Sequence, residues 1–175
     1  MKLSSSVLKS EAELADRVRA LGREITEHYQ GEEIAVLGVL KGAFIFLADL
    51  VRTIKSPVEV GFLETVTSRK SDVLTEIVFS SAMRLSSPFR IEGTNVLLVE
   101  DILDTGVTLA YLCEQLQLYQ PRSLRVCTLL DKPQRRRVDF HPDHVGFQVP
   151  DRWVVGYGLD HDGKYRNLPY LTWVE

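Results

Sequence analysis

The chain has 175 residues, enough for one domain with a hydrophobic core and too few for two domains of ordinary size. Hydrophobic residues make up 45% of the sequence and charged residues 26%, the usual balance of a soluble globular protein. The 21 Lys and Arg against 24 Asp and Glu give a formal net charge of -3, which argues against nucleic acid or an anionic membrane as a partner bound through overall charge.

The sequence also predicts a cytoplasmic location. The N-terminal stretch lacks the apolar core of a signal peptide, and no run approaches the roughly 18 apolar residues of a membrane-spanning helix. Cys113 falls in a helical pattern and Cys127 in a strand pattern. Lone thiols of this kind are usually buried and reduced, which favours a reducing compartment.

Helix and strand patterns alternate along the chain. Ser10 to Glu13 forms a capping box, and apolar residues at helical spacing predict a helix over about 11–29. Further helices are predicted over 43–54 and 107–119, and strands over 33–39, 58–64, 74–83, 96–99, 124–130, 145–149, 153–157 and 170–174. This alternation predicts an α/β fold, with a central, mostly parallel sheet flanked by helices, in one domain over residues 1–175.

The segment Asn95–Leu109, NVLLVEDILDTGVTL, combines a buried strand, a loop and the start of a helix. Gly106 permits a tight loop, and Thr105 and Thr108 add hydroxyl groups to the backbone N–H groups at the positive end of the helix. This combination favours a phosphate ligand. A nucleotide-binding P-loop needs a Gly-Lys-Ser/Thr ending and a dinucleotide fingerprint needs three spaced glycines, so both fit worse.

The acidic pair Glu100-Asp101 precedes this phosphate loop. Carboxylates repel a bare phosphate, so these two side chains are expected to face ribose hydroxyls, a magnesium ion or both. A phosphorylated ribose satisfies both halves of the segment. The alternative is an ordinary helix cap, in which Asp104 is the capping residue and the two acids before it are solvated.

Four segments resemble one known family. VLLVEDILDTGVTL is similar to the phosphoribosyl-pyrophosphate loop of the phosphoribosyltransferases, and its spacing resembles their 6-oxopurine branch. The other three segments are LKGAFIFLADL (40–50), LLDKP (129–133) and PDRWVVGYGLD (150–160). All four occur along the chain in the family's order. The resemblance implies a type I phosphoribosyltransferase fold with a small hood from the terminal segments, a flexible lid at about 65–75, and a homodimer or homotetramer.

The resemblance also implies a role for each matching residue. The ribose and phosphate would be held by Glu100, Asp101, Asp104, Thr105, Gly106, Val107 and Thr108. The pyrophosphate would be held by Lys41, Gly42, Arg166 and the lid residues Ser68 and Arg69. The purine would be held by Lys132, Trp153, Val154 and Asp160. A Mg²⁺ cofactor would be held by Glu100, Asp101 and Asp160.

Three of these roles have a clear chemical reason. Asp104 matches the general base that assists proton loss at purine N7. Lys132 matches the donor to the purine O6, and its ammonium group favours an oxo group over the amino group of adenine. Trp153 would stack on the purine face. Taken alone, Lys132 could be a solvated loop residue, Trp153 a core aromatic, and Asp160 and Arg166 surface charges.

The function that the resemblance implies is purine salvage. Phosphoribosyl pyrophosphate and hypoxanthine and/or guanine would give IMP or GMP and pyrophosphate. One alternative is a regulator of the same fold that senses the sugar phosphate and binds nucleic acid, which should carry an extra module or a broad basic face. A pyrimidine phosphoribosyltransferase would not call for Lys132 and Trp153 in this arrangement.

Some features depart from the family or carry no function. The family's lid usually has Ser-Tyr where this chain has Ser68-Arg69, and Val107 replaces a position that is basic in some relatives. The Leu40-Lys41 peptide, cis in some members, cannot be judged from sequence. The basic triplet 135–137 predicts a solvated turn, and the spacing of His141 and His144 around Pro142 makes a zinc site improbable.

Overall fold

The structure is a computed structural model that describes residues 2–64 and 89–175. The helices in this part are α1 (Glu11–Tyr29), α2 (Phe44–Val51) and α3 (Val107–Gln117), with a short 3-10 helix at Pro133–Arg135. The strands are β1 (Ile34–Leu40), β2 (Val58–Glu64), β3 (Asn95–Leu103), β4 (Ser123–Asp131), β5 (His144–Gln148), β6 (Trp153–Val155) and β7 (Thr172–Val174). None of the described helices is long and apolar enough to cross a membrane.

Helix α1 begins and ends where its local sequence predicts. The Ser10 hydroxyl accepts a hydrogen bond from the Glu13 amide, and the Glu13 carboxylate accepts one from the Ser10 amide, which completes the capping box. After Tyr29 the chain turns into the left-handed conformation at Gln30 and Gly31, which stops the helix.

The central sheet has five parallel strands in the order β2-β1-β3-β4-β5. Alternate residues of each strand point to opposite faces, so two cores form. On one face Val36, Leu97 and Leu129 pack with α1 and α2, and on the other Leu37 and Leu98 pack with α3. Both faces are covered, as predicted from the alternation of helix and strand patterns.

A small hood is built from the two terminal segments. Strands β6 and β7 pair antiparallel, and the N-terminal segment joins them through bridges between Leu3 and Val174 and between Lys9 and Leu171. The Tyr157 hydroxyl donates a hydrogen bond to the Asp49 carboxylate on α2 at 2.6 Å, which ties the hood to the helices. The predicted hood is therefore present.

The observed strand boundaries differ from the predicted ones in one place that matters. Strand β3 extends to Leu103, whereas the apolar pattern predicts an end at Val99, because its pairing with β4 continues from Glu100 to Leu103 after its pairing with β1 has ended at Val99. The predicted strand over 74–83 and the predicted lid over 65–75 lie outside the described residues.

Candidate active site

The candidate site lies beyond the carboxyl ends of three adjacent strands. Strand β1 ends before Lys41-Gly42, β3 ends before Asp104, and β4 ends before Lys132. In parallel sheets these ends are where loops and helix N-termini gather, so residues distant in sequence are brought together. The hood adds Trp153 and Asp160 above them: both line a cavity that Asp101, Asp104 and Lys132 also line.

Glu100 and Asp101 form an acidic pair within β3. The Glu100 side chain is buried, and its Oε1 accepts a hydrogen bond from the Asp101 amide at 3.1 Å. Burial raises the pKa of Glu100 well above its usual value, and the neighbouring Asp101 adds to the rise. Burial also raises the pKa of Asp101. A cation or hydroxyl donors placed here would offset the free-energy cost of burying two carboxylates in their charged form.

The turn after β1 packs directly on this acidic pair. The Leu40-Lys41 peptide is cis, and the following Gly42 lies against Asp101 so closely that an added Cβ atom would overlap its carboxylate. A Cβ atom on Gly158 of the hood would likewise overlap the Gly42 carbonyl oxygen. The Lys41 side chain is exposed. The turn at Lys41-Gly42, which is predicted to bind pyrophosphate, therefore lies between the hood and Asp101, which is predicted to bind ribose.

The phosphate loop leads into the N-terminus of α3. Gly106 is the residue before the helix, with φ of 84°, a conformation that favours glycine, and it has no side chain that could cap the helix. Thr105 Oγ1 lies 3.4 Å from the Val107 amide. The start of α3 thus presents backbone N–H groups at its positive end, which is suited to an anion. Asp104 is not the helix cap that the alternative interpretation required.

Asp104 belongs to a network of charged side chains. Its Oδ1 accepts a hydrogen bond from Arg135 Nε at 2.6 Å, and Arg135 also reaches Asp151 at 3.4 Å. On the other side of Asp151, the Lys132 ammonium lies 3.9 Å from its carboxylate. The Lys132 side chain is only 9% exposed, so it is not the solvated loop lysine of the alternative interpretation.

The arginines after Lys132 have partners that the sequence did not predict. The triplet was expected to form a solvated turn, and Arg135 and Arg137 are exposed. Arg135 nevertheless binds Asp104, and Arg136 donates to the Asp104 carbonyl oxygen at 2.5 Å and pairs with Asp131. The Arg137 amide donates to the Thr105 carbonyl oxygen. Asp104 and Thr105 are about thirty positions earlier in the chain, so local sequence gives no signal for these contacts beyond the basic triplet itself.

Trp153 forms an exposed wall of the cavity, with 60% of its surface accessible. It is therefore not the core aromatic that its strand pattern would suggest. Its indole Nε1 donates a hydrogen bond to the Asp160 carbonyl oxygen at 3.0 Å. The next residue, Val154, is buried and lines the same cavity.

Asp160 and Arg166 face each other in the hood. Arg166 Nη2 lies 2.7 Å from Asp160 Oδ1, and Arg166 Nη1 donates to the Gly158 carbonyl oxygen at 2.7 Å. The second Asp160 oxygen accepts the Gly163 amide. Both charges therefore have protein partners, and neither is an isolated surface charge.

The donor set suits Mg²⁺, which prefers oxygen ligands and usually takes one or two carboxylates plus substrate oxygens and water. Glu100 and Asp101 supply such carboxylates. Within residues 2–64 and 89–175, however, no group of three or more His, Cys, Asp or Glu side chains is arranged to hold a metal. Asp160, the third predicted ligand, is instead paired with Arg166.

Comparison with known proteins places this arrangement in one family. The model of the phosphoribosyl transferase domain matches residues 4–162. The chain belongs to this family. The match covers the acidic pair, the phosphate loop, Lys132, Trp153 and Asp160, whereas Arg166 and strand β7 of the hood lie after its end.

Similar members of the family match over nearly their whole length. The hypoxanthine phosphoribosyltransferase of Salmonella typhimurium is 46% identical over 173 residues, which cover 98% of this chain and 96% of that protein. The hypoxanthine-guanine phosphoribosyltransferase of Bacillus subtilis is 43% identical, with 94% and 90% covered. A crystal structure of a hypoxanthine-guanine phosphoribosyltransferase from Bacillus anthracis aligns with a TM-score of 0.86 at 39% identity, over 99% of this chain and 100% of that one.

These relatives confirm the predicted family and fold, and they are named as transferases. The alternative of a nucleic-acid-binding regulator gains no support from them. The individual site roles stay predictions. Ser68 and Arg69 of the predicted lid lie outside the described residues.

Proposed function

We propose that the protein is a purine salvage enzyme that transfers the phosphoribosyl group of phosphoribosyl pyrophosphate to hypoxanthine and/or guanine. The observation that carries this proposal is that Lys132 and Trp153 line the same cavity as Asp101 and Asp104. A lysine donor and an aromatic wall beside a ribose-phosphate loop suit a planar 6-oxopurine. The similarity to hypoxanthine and hypoxanthine-guanine phosphoribosyltransferases supports the same substrates.

The chain's own residues account for binding and proton transfer. The N–H groups at the start of α3 would hold the 5'-phosphate, while Lys41, Gly42 and Arg166 would face the pyrophosphate. Trp153 would orient the purine so that Asp104 accepts the proton at N7 as the glycosidic bond forms. Glu100 and Asp101 would hold the ribose hydroxyls and Mg²⁺, which supplies positive charge to the departing pyrophosphate.

The proposed reaction has a direct test. The protein is incubated with Mg²⁺ and phosphoribosyl pyrophosphate, and hypoxanthine, guanine, xanthine, adenine, uracil and orotate are offered separately. We expect IMP or GMP and pyrophosphate from the 6-oxopurines, with loss of activity when EDTA removes the metal. Turnover of none of the 6-oxopurines would contradict the proposal, and turnover of orotate or uracil instead would support a pyrimidine enzyme.

Replacing Lys132 with alanine should impair purine use without unfolding the protein. Because Lys132 lines the cavity and its side chain is nearly buried beside Asp151, the substitution removes the proposed donor to O6. We expect the KM for hypoxanthine to rise by about 10-fold or more, since losing a hydrogen bond from a charged group costs about 1.5–3 kcal/mol. Steady-state kinetics should show a much smaller change for phosphoribosyl pyrophosphate.

A matched control for this variant is Lys55→Ala, which removes an exposed lysine after α2. It should leave both KM values unchanged. Unaltered purine kinetics in Lys132→Ala would contradict the role assigned to Lys132.

We also propose, from the family resemblance, that the enzyme is a cytoplasmic homodimer or homotetramer.

A further inference from the structure

Trp153 needs support from its neighbours because it is both exposed and functional in the proposed site. An exposed indole at the first residue of a three-residue strand has little packing to hold it in one orientation. Two contacts with described residues restrict it. One is the hydrogen bond from Nε1 to the Asp160 carbonyl oxygen, and the other is an edge-to-face contact with the His161 ring, with centroids 5.4 Å apart and planes at 79°.

His161 is well placed to hold this ring. Its side chain is only 21% exposed, and its amide and carbonyl groups both bond to Lys164 at 3.2 and 3.0 Å, which fixes the turn that carries it. Trp153 and Asp160 line the cavity, but His161 is not among the residues that line it. His161 therefore acts on a ligand in this cavity through residues that line it, and Trp153 is the lining residue whose ring it contacts.

The contact of His161 with Trp153 depends on the shape of the His161 ring and not on hydrogen bonds from its nitrogen atoms. Nε2 lies 3.5 Å from the Asp162 carboxylate, whereas Nδ1 is buried without a hydrogen-bond partner among the described residues. An edge-to-face aromatic contact needs only a ring of similar size. Phenylalanine should therefore preserve the contact, and leucine should fill the space without it.

We propose that His161 is a positioning residue that holds the Trp153 indole as the aromatic wall of the purine site. The identity of the bound purine rests on the proposed function, whereas the contact between the two rings does not. Asp160, the residue before His161, accepts the Trp153 hydrogen bond on its carbonyl oxygen and binds Arg166 with its carboxylate. The segment Asp160-His161 therefore contacts both the proposed purine wall and the arginine assigned to pyrophosphate. His161 serves the purine side of this segment.

Kinetics give the first test. His161→Leu is expected to raise the KM for hypoxanthine or guanine by about 2- to 10-fold, the range that corresponds to losing one aromatic pair, and to change the KM for phosphoribosyl pyrophosphate by less than about twofold. His161→Phe should restore the purine KM. His141→Leu is the matched control, because His141 is exposed and pairs only with the exposed Asp139 among the contacts described.

A double-mutant cycle separates positioning from a general structural effect. In a Trp153→Leu background, adding His161→Leu should leave the purine KM unchanged, because the ring that it supports is already gone. The proposal is overturned if both KM values rise in parallel, if phenylalanine is no better than leucine, or if the effect of His161→Leu persists without Trp153.

Fluorescence tests the contact without relying on activity. The sequence has two tryptophans, so the emission of Trp153 is the difference between a protein and its Trp153→Phe counterpart. Acrylamide quenching of this component should increase in His161→Leu and stay at the wild-type level in His161→Phe. If the wild type turns over no purine, the proposed function fails, and quenching alone then decides the role of His161. Equal quenching in all three proteins would overturn it.

Discussion

Replacing Asp104 with asparagine is expected to lower turnover by about 10²-fold or more, the typical contribution of a general base. Asparagine has nearly the same shape but cannot accept the purine N7 proton. Binding of phosphoribosyl pyrophosphate should be largely preserved, because the N–H groups at the start of α3 are backbone groups and do not depend on this side chain. The measurements are kcat with hypoxanthine and the Kd for phosphoribosyl pyrophosphate.

The network around Asp104 makes a control essential. Arg135 Nε donates to the Asp104 carboxylate at 2.6 Å, so the substitution also weakens an ion pair. Arg135→Gln removes that pair while keeping the carboxylate, and should retain far more turnover than Asp104→Asn. Asp139→Asn, at an exposed acid, should behave as the wild type. Full activity in Asp104→Asn would remove Asp104 from the role of base.

Replacing Gly42 with alanine is expected to lower kcat/KM for phosphoribosyl pyrophosphate by about 10²-fold or more, as expected when groups that position a substrate are displaced by about 1 Å. The added methyl group would overlap the Asp101 carboxylate, which is packed against the glycine. Either the carboxylate or the turn after β1 has to move, and each is assigned to substrate binding. The purine KM should change much less.

The cause of this loss can be tested with a second substitution. Asp101→Ala removes the carboxylate that the methyl group would strike, so Gly42→Ala should cost much less in that background than in the wild type. Circular dichroism would confirm that the variants remain folded. If Gly42→Ala is equally costly with and without the Asp101 carboxylate, the contact between the two residues is not the cause.

Local features of the fold were predictable because their causes are local. The capping box at Ser10 and Glu13 fixes the start of α1, and the apolar periodicity that follows fixes its length. The alternation of helices and buried strands predicted a parallel sheet covered on both faces. The end of β3 was not predictable in this way, because Glu100 remains in the strand through its pairing with Thr128 of β4.

The side-chain partners in the site were less predictable. Arg135 and Asp104 are 31 positions apart, and local pattern assigned Arg135 to a solvated turn. In the same way, local pattern alone favoured a solvated Lys132 and a buried Trp153, whereas Lys132 is nearly buried and Trp153 is exposed. Both positions depend on how the loop after β4 and the hood pack over the strand ends.

The segment Asn95–Leu109 by itself determined a strand, a glycine loop and a helix start that suit a ribose phosphate, and its resemblance to a known family indicated the reaction. These properties follow from short-range backbone geometry, which neighbouring residues dictate. Only the tertiary structure decided that Asp101 packs on Gly42, that Arg135 pairs with Asp104, and that the hood brings Trp153 to the cavity. Each of these contacts joins residues from separate strands and loops, and sheet order and packing bring them together.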